Sequence, residues 1–426
     1  MLRKILQGIL TYIHDLRLLT PNARKYLLGV LFISMSFSAF LLLLNLYLRE
    51  RSFGEALIGR VLSVGAIGMT IVSIPGALLL SRIRLKPVLL VSTFLTAVFG
   101  VITAYSEPTW LIMMAYFITG AMMTFYRIAS APFFMRNSGT RERQYLFSLS
   151  FGITVGAGVL GSWVFGWLVE YFTESGGMNA IEAHRLALTI GVVLSLLALI
   201  PFGLLKTPAQ IPSEDRLVFS RQILKPLRGI MTRLTLPYFI VGAGAGMIIP
   251  FLNIFFRDRF EQSTNQIGLY IGMVNATMFI GIMTAPVLVK HIGKVRTIVY
   301  TQLASIPFMF ILAYSFNFPL VVFAFLVRGA LMNMGMPVGT NFAMETVPAS
   351  HHGLVNALLM FAWTSSWMVS TQIGGWVIEH YGYTLSLNIA IVLYIISSLL
   401  YFLFFRRSEN RTDAGFEVVN KQILPK

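Results

Sequence analysis

The stretch Leu44-Asn-Leu-Tyr-Leu-Arg-Glu-Arg51 decides the fold, because it returns 208 positions later as Leu252-Asn-Ile-Phe-Phe-Arg-Asp-Arg259. Each copy ends an apolar run and begins a charged loop. Further along, Gly166-Trp-Leu-Val-Glu-Tyr171 matches Gly375-Trp-Val-Ile-Glu-His380 at an offset of 209. A membrane chain built from two similar halves in the same order is typical of transporters whose substrate path lies between the halves.

The composition requires a lipid environment. Hydrophobic residues make up 56% of the 426 residues and charged residues only 12%. A soluble domain of this length could not bury so much apolar surface. The chain has no cysteine, which excludes disulfides, thiolate metal sites and cysteine nucleophiles.

Twelve apolar segments are long enough to span the hydrocarbon, so the sequence predicts an all-α membrane protein with twelve transmembrane helices in two parallel six-helix repeats. The predicted spans are 26–48, 56–80, 87–105, 110–134, 145–171, 185–205, 234–256, 266–289, 297–315, 319–343, 353–379 and 384–405. Thr20 and Pro21 fit the cap and first residue of the first helix.

The predicted domains follow from these spans. Apolar residues recur at helical spacing before the first span, which indicates an amphipathic helix lying on the membrane surface. The order is this interfacial helix (1–23), an N-terminal bundle (24–205), a cytoplasmic linker (206–233), a C-terminal bundle (234–405) and a cytoplasmic tail (406–426).

The distribution of positive charge predicts the orientation. With the N-terminus inside the cell, the inner segments hold 25 of the 33 Lys and Arg residues. The positive-inside rule then places both termini in the cytoplasm of a multi-pass cell-membrane (inner-membrane) protein. The net charge of +16 is explained by topology and anionic lipid, so nucleic acid is not an expected partner.

Twelve spans, a parallel repeat, a basic linker and internal termini resemble the major facilitator superfamily over residues 24–405. The loop after the second span, Gly76-Ala-Leu-Leu-Leu-Ser-Arg-Ile-Arg-Leu-Lys86, keeps the basic residues of that family's signature but has Ser81 or Leu80 where its aspartate stands. The second copy, Ala285 to Lys294, has Lys290 there. The resemblance implies that helices 1, 4, 7 and 10 line a central cavity, and that different helix sets close it outside and inside.

Two arginines lie inside predicted spans, Arg127 in helix 4 and Arg328 in helix 10. A charge within the bilayer is a functional candidate by default. Arg328 is predicted near the midplane, as a substrate contact or a structural pairing, whereas Arg127 could snorkel to the headgroups. If Arg127 faces inward, the cavity face includes Tyr116. A buried guanidinium with no carboxylate at its depth favours an anionic or acceptor-rich ligand.

Asparagines supply further cavity candidates. Asn333 and Asn341 form a stripe with Pro337 that points away from Arg328 on a straight helix, so both sets face one space only if Pro337 bends helix 10. Asn45 and Asn253 occupy matched places in helices 1 and 7, where an asparagine either joins helices or lines a wet cavity.

Charged helix ends predict gates. Crossed pairs are expected at the outer mouth, Glu50 with an arginine of helix 7 and Asp258 with an arginine of helix 1. The six outer-gate candidates are Arg49, Glu50, Arg51, Arg257, Asp258 and Arg259. At the inner ends of helices 4 and 10, Arg136 and Glu345 occupy equivalent positions with opposite charge, which predicts an inner pair. Solvated loop charges are the alternative for both groups.

The function expected from these features is secondary transport of a small organic solute by alternating access, leaning to efflux of amphipathic compounds. One alternative is exchange of an organic anion through the membrane arginines, and another is a transporter-like receptor or assembly partner that moves nothing. No catalytic dyad, nucleotide motif or metal cluster appears, so neither an enzyme, a cofactor nor a metal is expected. The expected partners are the solute, membrane lipid, and a proton or counter-solute, and the expected state is a monomer.

Overall fold

The computed structural model describes residues 19–80, 83–137, 140–206, 221–347 and 352–407. Most of the predicted interfacial helix, the central part of the linker and nearly all of the tail lie outside the described residues. The described residues are helices and short connections. This confirms the predicted all-α class.

The helices form two sets of six. The first set is α1 (Pro21–Glu50), α2 (Glu55–Leu80), α3 (Leu85–Tyr105), α4 (Thr109–Asn137), α5 (Thr140–Glu174) and α6 (Ala180–Leu194, continued by Ser195–Ala198 and Leu199–Gly203). The second set is α7 (Arg221–Ile248, Ile249–Phe251 and Leu252–Phe260), α8 (Thr264–Ile292), α9 (Lys294–Tyr314), α10 (Phe318–Glu345), α11 (352–381) and α12 (383–405). We call these sets the N lobe and the C lobe.

Local sequence explains where several helices begin and end. Thr20 caps α1 by accepting from the Ala23 amide at 3.3 Å, with Pro21 in the first position, as predicted. Gly382 separates α11 from α12 at φ +81°, a conformation that L side chains rarely adopt. Helix α7 begins at Arg221, so part of the predicted linker is helical.

The two ends of the bundle are packed differently. We call the end that holds Glu50 distal, and the end that holds Leu19 and Arg407 proximal. In the distal half, one hydrophobic core joins both lobes. In the proximal half each lobe has a core of its own, one around Tyr26 and one around Phe342. The lobes are therefore closed against each other at the distal end.

Backbone contacts complete the distal closure along two seams. At the seam of α2 with α11, a methyl group on Gly375 would lie 2.3 Å from the Glu55 carbonyl oxygen. At the seam of α5 with α8, a methyl group on Gly166 would lie 2.8 Å from the Thr264 carbonyl oxygen. Gly166 and Gly375 are equivalent in the sequence repeat. The two seams are thus copies of one contact, in which glycine allows the backbones to touch.

Candidate functional site

A cavity with two chambers lies between the lobes. The C chamber, of about 300 Å³, is lined almost entirely by the C lobe, and the N chamber, of about 330 Å³, mainly by α1, α2 and α4. Both chambers share walls formed by Leu41, Ile249, Pro250, Trp363 and Trp367. Each volume lies at the lower end of the range for small-molecule sites.

Arg328 lies in the wall of the C chamber and is 4% exposed. Its Nη2 donates to the Tyr394 hydroxyl at 2.9 Å, and its guanidinium lies 5.8 Å from the centre of that ring. Its Nε has no hydrogen-bond acceptor among the described residues. A buried charged donor of this kind can bind a ligand acceptor without first breaking an ion pair.

Arg127 lies in the wall of the N chamber and is exposed. Its guanidinium is 5.1 Å from the centre of the Phe37 ring on α1, a cation–π contact within one lobe. The Tyr116 side chain lines the same chamber. Both arginines therefore face the cavity, a point that the sequence left open.

Neither chamber contains an acidic or histidine side chain in its described lining. The arginines are therefore the charged groups of these two linings. The remaining surface is mostly aliphatic and aromatic, with a few amide and hydroxyl groups. This arrangement suits a solute with an apolar body and an anionic or acceptor-rich end.

The candidate residues on α10 lie at two different places in the structure. Asn333 lines the C chamber together with Arg328, although they lie on different sides of α10. The lining of this chamber also includes residues of α9 and α12, and the bend expected at Pro337 stays a prediction. Asn341 lies further along the helix, where its Oδ1 accepts from Lys294 Nζ at 3.2 Å. This contact places it in a proximal polar cluster.

Asn45 and Asn253 join the lobes at the distal side of the cavity. Both are buried, and Asn45 Nδ2 lies 3.3 Å from Asn253 Oδ1. Asn45 also donates to the Pro250 carbonyl, and Asn253 Nδ2 donates to the Leu42 carbonyl at 3.0 Å. Each asparagine lines one chamber as well. They combine both roles that the sequence allowed.

The crossed ion pairs expected from the sequence are present at the distal end. Arg257 pairs with Glu50, and Arg49 with Asp258 at 3.1 Å. Arg51 and Arg259 behave differently. Each donates to backbone carbonyls of its own lobe, at 2.8 Å for Arg51 and 3.0 Å for Arg259.

Sequence reasoning missed several groups of this distal network. Glu55 also pairs with Arg49 at 3.3 Å, and the Tyr383 hydroxyl donates to Asp258 at 3.1 Å. Glu379 of the C lobe accepts from the Ala56 amide at 2.8 Å, which places a carboxylate at the N-terminus of α2 in the N lobe. The sequence feature that could have indicated the Glu379 contact is the glutamate that the two repeated Gly-Trp segments share.

At the proximal end Glu345 pairs with Lys294 of its own lobe. The Arg136 side chain lies outside the described residues, so its predicted pairing with Glu345 stays a prediction. Trp363 and Trp367 of α11 line both chambers.

Comparisons with known proteins agree with this architecture. The family model of the Major Facilitator Superfamily matches residues 26–237 and again 234–425. The chain therefore belongs to this superfamily, as the sequence suggested, and is a membrane transporter of small solutes. No curated protein matches the sequence.

Solved structures share the fold at low sequence identity. The nucleoside transporter NupG has a TM-score of 0.70 at 16% identity, over 92% of this chain and 100% of its own. A bacterial homologue of the human lysosomal transporter Spinster, in an inward-facing and occupied conformation, has a TM-score of 0.76 at 12% identity, over 90% and 96%. A D-xylose–proton symporter has a TM-score of 0.70 at 17% identity, over 90% and 97%.

Proposed function

We propose that this protein moves a small organic anion with an apolar body across the membrane by alternating access. The observation that carries the proposal is the cavity lining, where two arginines are the charged groups and the rest is largely apolar. The buried Arg328 guanidinium has an Nε without a hydrogen-bond acceptor among the described residues, and a buried charge inside a membrane protein is costly, so the site is stabilised when an anion binds there. If one such anion is exchanged for another, the positive charge of the cavity arginines is balanced by a bound anion in both directions of transport.

The two arginines lie at different depths. Both α4 and α10 run from the distal to the proximal end, with Arg127 eighteen residues after Thr109 and Arg328 ten residues after Phe318. A difference of eight residues corresponds to about 12 Å along the helices. An anion entering from the proximal side thus meets Arg127 first and Arg328 deeper in the cavity.

The direction of opening supports uptake of the solute from the proximal side in this conformation. The lobes share one core distally and have separate cores proximally. The excess of Lys and Arg in the proximal loops favours a cytoplasmic position for that side. In this orientation the cavity opens towards the cytoplasm. A solute that binds there would leave the cell when the lobes open distally, so the proposed direction is efflux.

A second candidate is efflux of uncharged or cationic amphipathic compounds. Its support is the apolar wall, to which Met332 and Met336 contribute flexible side chains next to Trp363 and Trp367. Such surfaces adapt to solutes of different shape. The two candidates differ in whether transport needs the arginines.

Counterflow into proteoliposomes, with a panel of organic anions and amphipathic cations and with or without a pH gradient, separates them. Loss of a hydrogen bond to a charged group costs about 1.5–3 kcal/mol, or about 10- to 150-fold in affinity. We expect Arg328→Gln to weaken anion transport by this factor. Arg51→Gln, which changes an arginine outside the cavity, serves as the matched control.

Full anion transport by both Arg328→Gln and Arg127→Gln would reject the anion proposal. If those variants also keep transport of amphipathic cations, the second candidate replaces it. Absence of counterflow for every compound in the panel, with folded protein in the vesicles, would contradict both.

A further inference from the structure

His184 is a buried titratable group that the cavity does not use. It lies in the first turns of α6, is 1% exposed, and contacts the other lobe. Its Nδ1 lies 2.7 Å from the Ala180 carbonyl oxygen of its own helix. Its Nε2 lies 3.0 Å from the hydroxyl oxygen of Thr264, the first residue of α8.

These two contacts define the tautomer that the neutral ring adopts. A carbonyl oxygen only accepts hydrogen bonds, so Nδ1 carries a hydrogen and donates to Ala180. In the neutral imidazole Nε2 is then an acceptor, and Thr264 donates its hydroxyl hydrogen to it. A neutral His184 therefore has one defined tautomer in the closed distal end.

The same hydroxyl connects His184 to the distal ion pairs. Arg257 Nη1 donates to Thr264 Oγ1 at 3.4 Å, and Arg257 Nη2 pairs with Glu50 of α1. Thr264 is held in place by the capping box of α8, in which Ser263 and Gln266 exchange hydrogen bonds. A directed chain thus runs from α6 through α8 and α7 back to α1, crossing between the lobes twice.

A second proton on the ring is unfavourable in this chain. Nε2 would become a donor, Thr264 Oγ1 would accept from both Arg257 and His184 through its two lone pairs, and the threonine hydrogen would lose the imidazole as its acceptor. Two cations would then lie on either side of one buried hydroxyl group, with the partly exposed Glu50 as the paired carboxylate. Separation of α6 from α8 relieves both effects.

Other charged groups near this interface have contacts of their own. Arg185 donates to the Tyr47 hydroxyl at 3.2 Å and lies over the Tyr105 ring. Further charged groups on the neighbouring elements include Glu182 on α6, Glu170 and Glu174 on α5, and Asp258, Arg259 and Glu261 at the end of α7. None of these has a described hydrogen bond to the imidazole, and Thr264 is the described cross-lobe partner of His184.

We propose that His184 is a proton-binding site whose occupation and distal closure of the lobes exclude each other. The proton comes from water on the distal side once α6 and α8 have separated. It binds the Nε2 lone pair and returns to the same water before the lobes close. Linkage requires the converse effect: distal closure expels the proton. The site therefore makes the distal opening sensitive to distal pH.

This inference rests on the alternating-access part of the proposed function, and it is tested without knowledge of the substrate. The chain has no cysteine, so Ser63→Cys gives a single thiol in the buried α2–α11 seam. A membrane-impermeant thiol reagent added from the distal side then measures distal opening. The pH is varied from about 8 to about 5, the range in which an imidazole changes charge.

We expect the labelling rate to rise as the pH falls, and to lose this dependence in His184→Gln. The glutamine amide oxygen can still accept from Thr264 but does not titrate. His380→Gln is the matched control, because His380 is an exposed distal histidine bonded to a carbonyl of its own helix. It should keep the pH dependence.

Glu50→Gln breaks the Arg257 pair and shows whether the assay detects opening. If Glu50→Gln raises labelling but His184→Gln remains as pH-dependent as the parent, or the parent shows no pH dependence, the histidine proposal is overturned and the transporter proposal stands. If neither low pH nor Glu50→Gln ever exposes the thiol, alternating access itself is contradicted.

Discussion

At the residue scale, the asparagine pair shows how one side chain can serve two tasks. Helix α7 is interrupted at Ile249–Phe251, and Asn253 Oδ1 accepts from the Ile254 amide at 3.0 Å. The Pro250 carbonyl at the break accepts a hydrogen bond from Asn45 of the other lobe. The irregular backbone is tolerated because polar groups from both lobes satisfy it.

Removing these amides should favour distal opening. Hydrogen bonds between transmembrane helices contribute about 0.6 kcal/mol on average and up to about 1.7 kcal/mol, so we expect Asn45→Ala to shift the closed–open equilibrium about 3- to 20-fold. Asn253→Ala should shift it further, because it also uncaps Ile254. Labelling of the thiol in Ser63→Cys measures the shift.

Asn388→Ala is the control, since Asn388 bonds to Tyr314 within the C lobe. Equal labelling of Asn45→Ala and Asn388→Ala would show that the cross-lobe amide contributes nothing to closure.

At the element scale, the sequence repeat becomes a repeat of contacts. Helix α2 packs on α11 as α8 packs on α5, with Gly59 and Gly268 facing Gly375 and Gly166 respectively. Close approach is needed only in the distal part of α5. In its proximal part, Gly156 has no atom within 4 Å of an added methyl group. The glycines of α5 therefore differ in what they do.

A methyl group at either seam should obstruct distal closure. Overpacking of a tight contact costs about 1–3 kcal/mol, so Gly375→Ala and Gly166→Ala should each disfavour the closed state about 5- to 150-fold. The measurement is distal thiol labelling together with counterflow. Gly156→Ala, on the same helix as Gly166, should leave both unchanged, and an effect equal to that of Gly166→Ala would argue against the seam.

At the scale of the whole molecule, the two lobes share a core distally and separate proximally. Each partly exposed ion pair of the distal network contributes about 1 kcal/mol or less. Several together can still bias an equilibrium that is a few kcal/mol wide. Closure is thus the sum of two glycine seams, one asparagine pair and a set of weak charge contacts.

Exchanging the charges of the Glu50–Arg257 pair tests whether this ion pair contributes to distal closure. We expect Glu50→Arg and Arg257→Glu each to increase distal labelling, because each places like charges opposite one another, and the double variant to return towards the parent. Raised salt should shrink the difference by screening. The control is Arg51→Glu, whose arginine contacts carbonyls and aromatic rings of its own lobe in the described structure. A double variant no better than its single variants would exclude direct pairing.

The sequence alone determined the twelve-helix duplicated architecture, and it predicted the crossed pairing of Glu50 and Asp258 with solvated loop charges as the alternative. Apolar runs and an internal repeat are read directly along a chain, and equivalent helix ends meet across a pseudo-twofold axis. Only the tertiary structure decided that both arginines face the cavity, that Glu379 caps a helix of the other lobe, and that His184 meets Thr264. These contacts depend on side-chain direction and on which end of the bundle is closed, and both are set by packing between lobes that are distant in sequence.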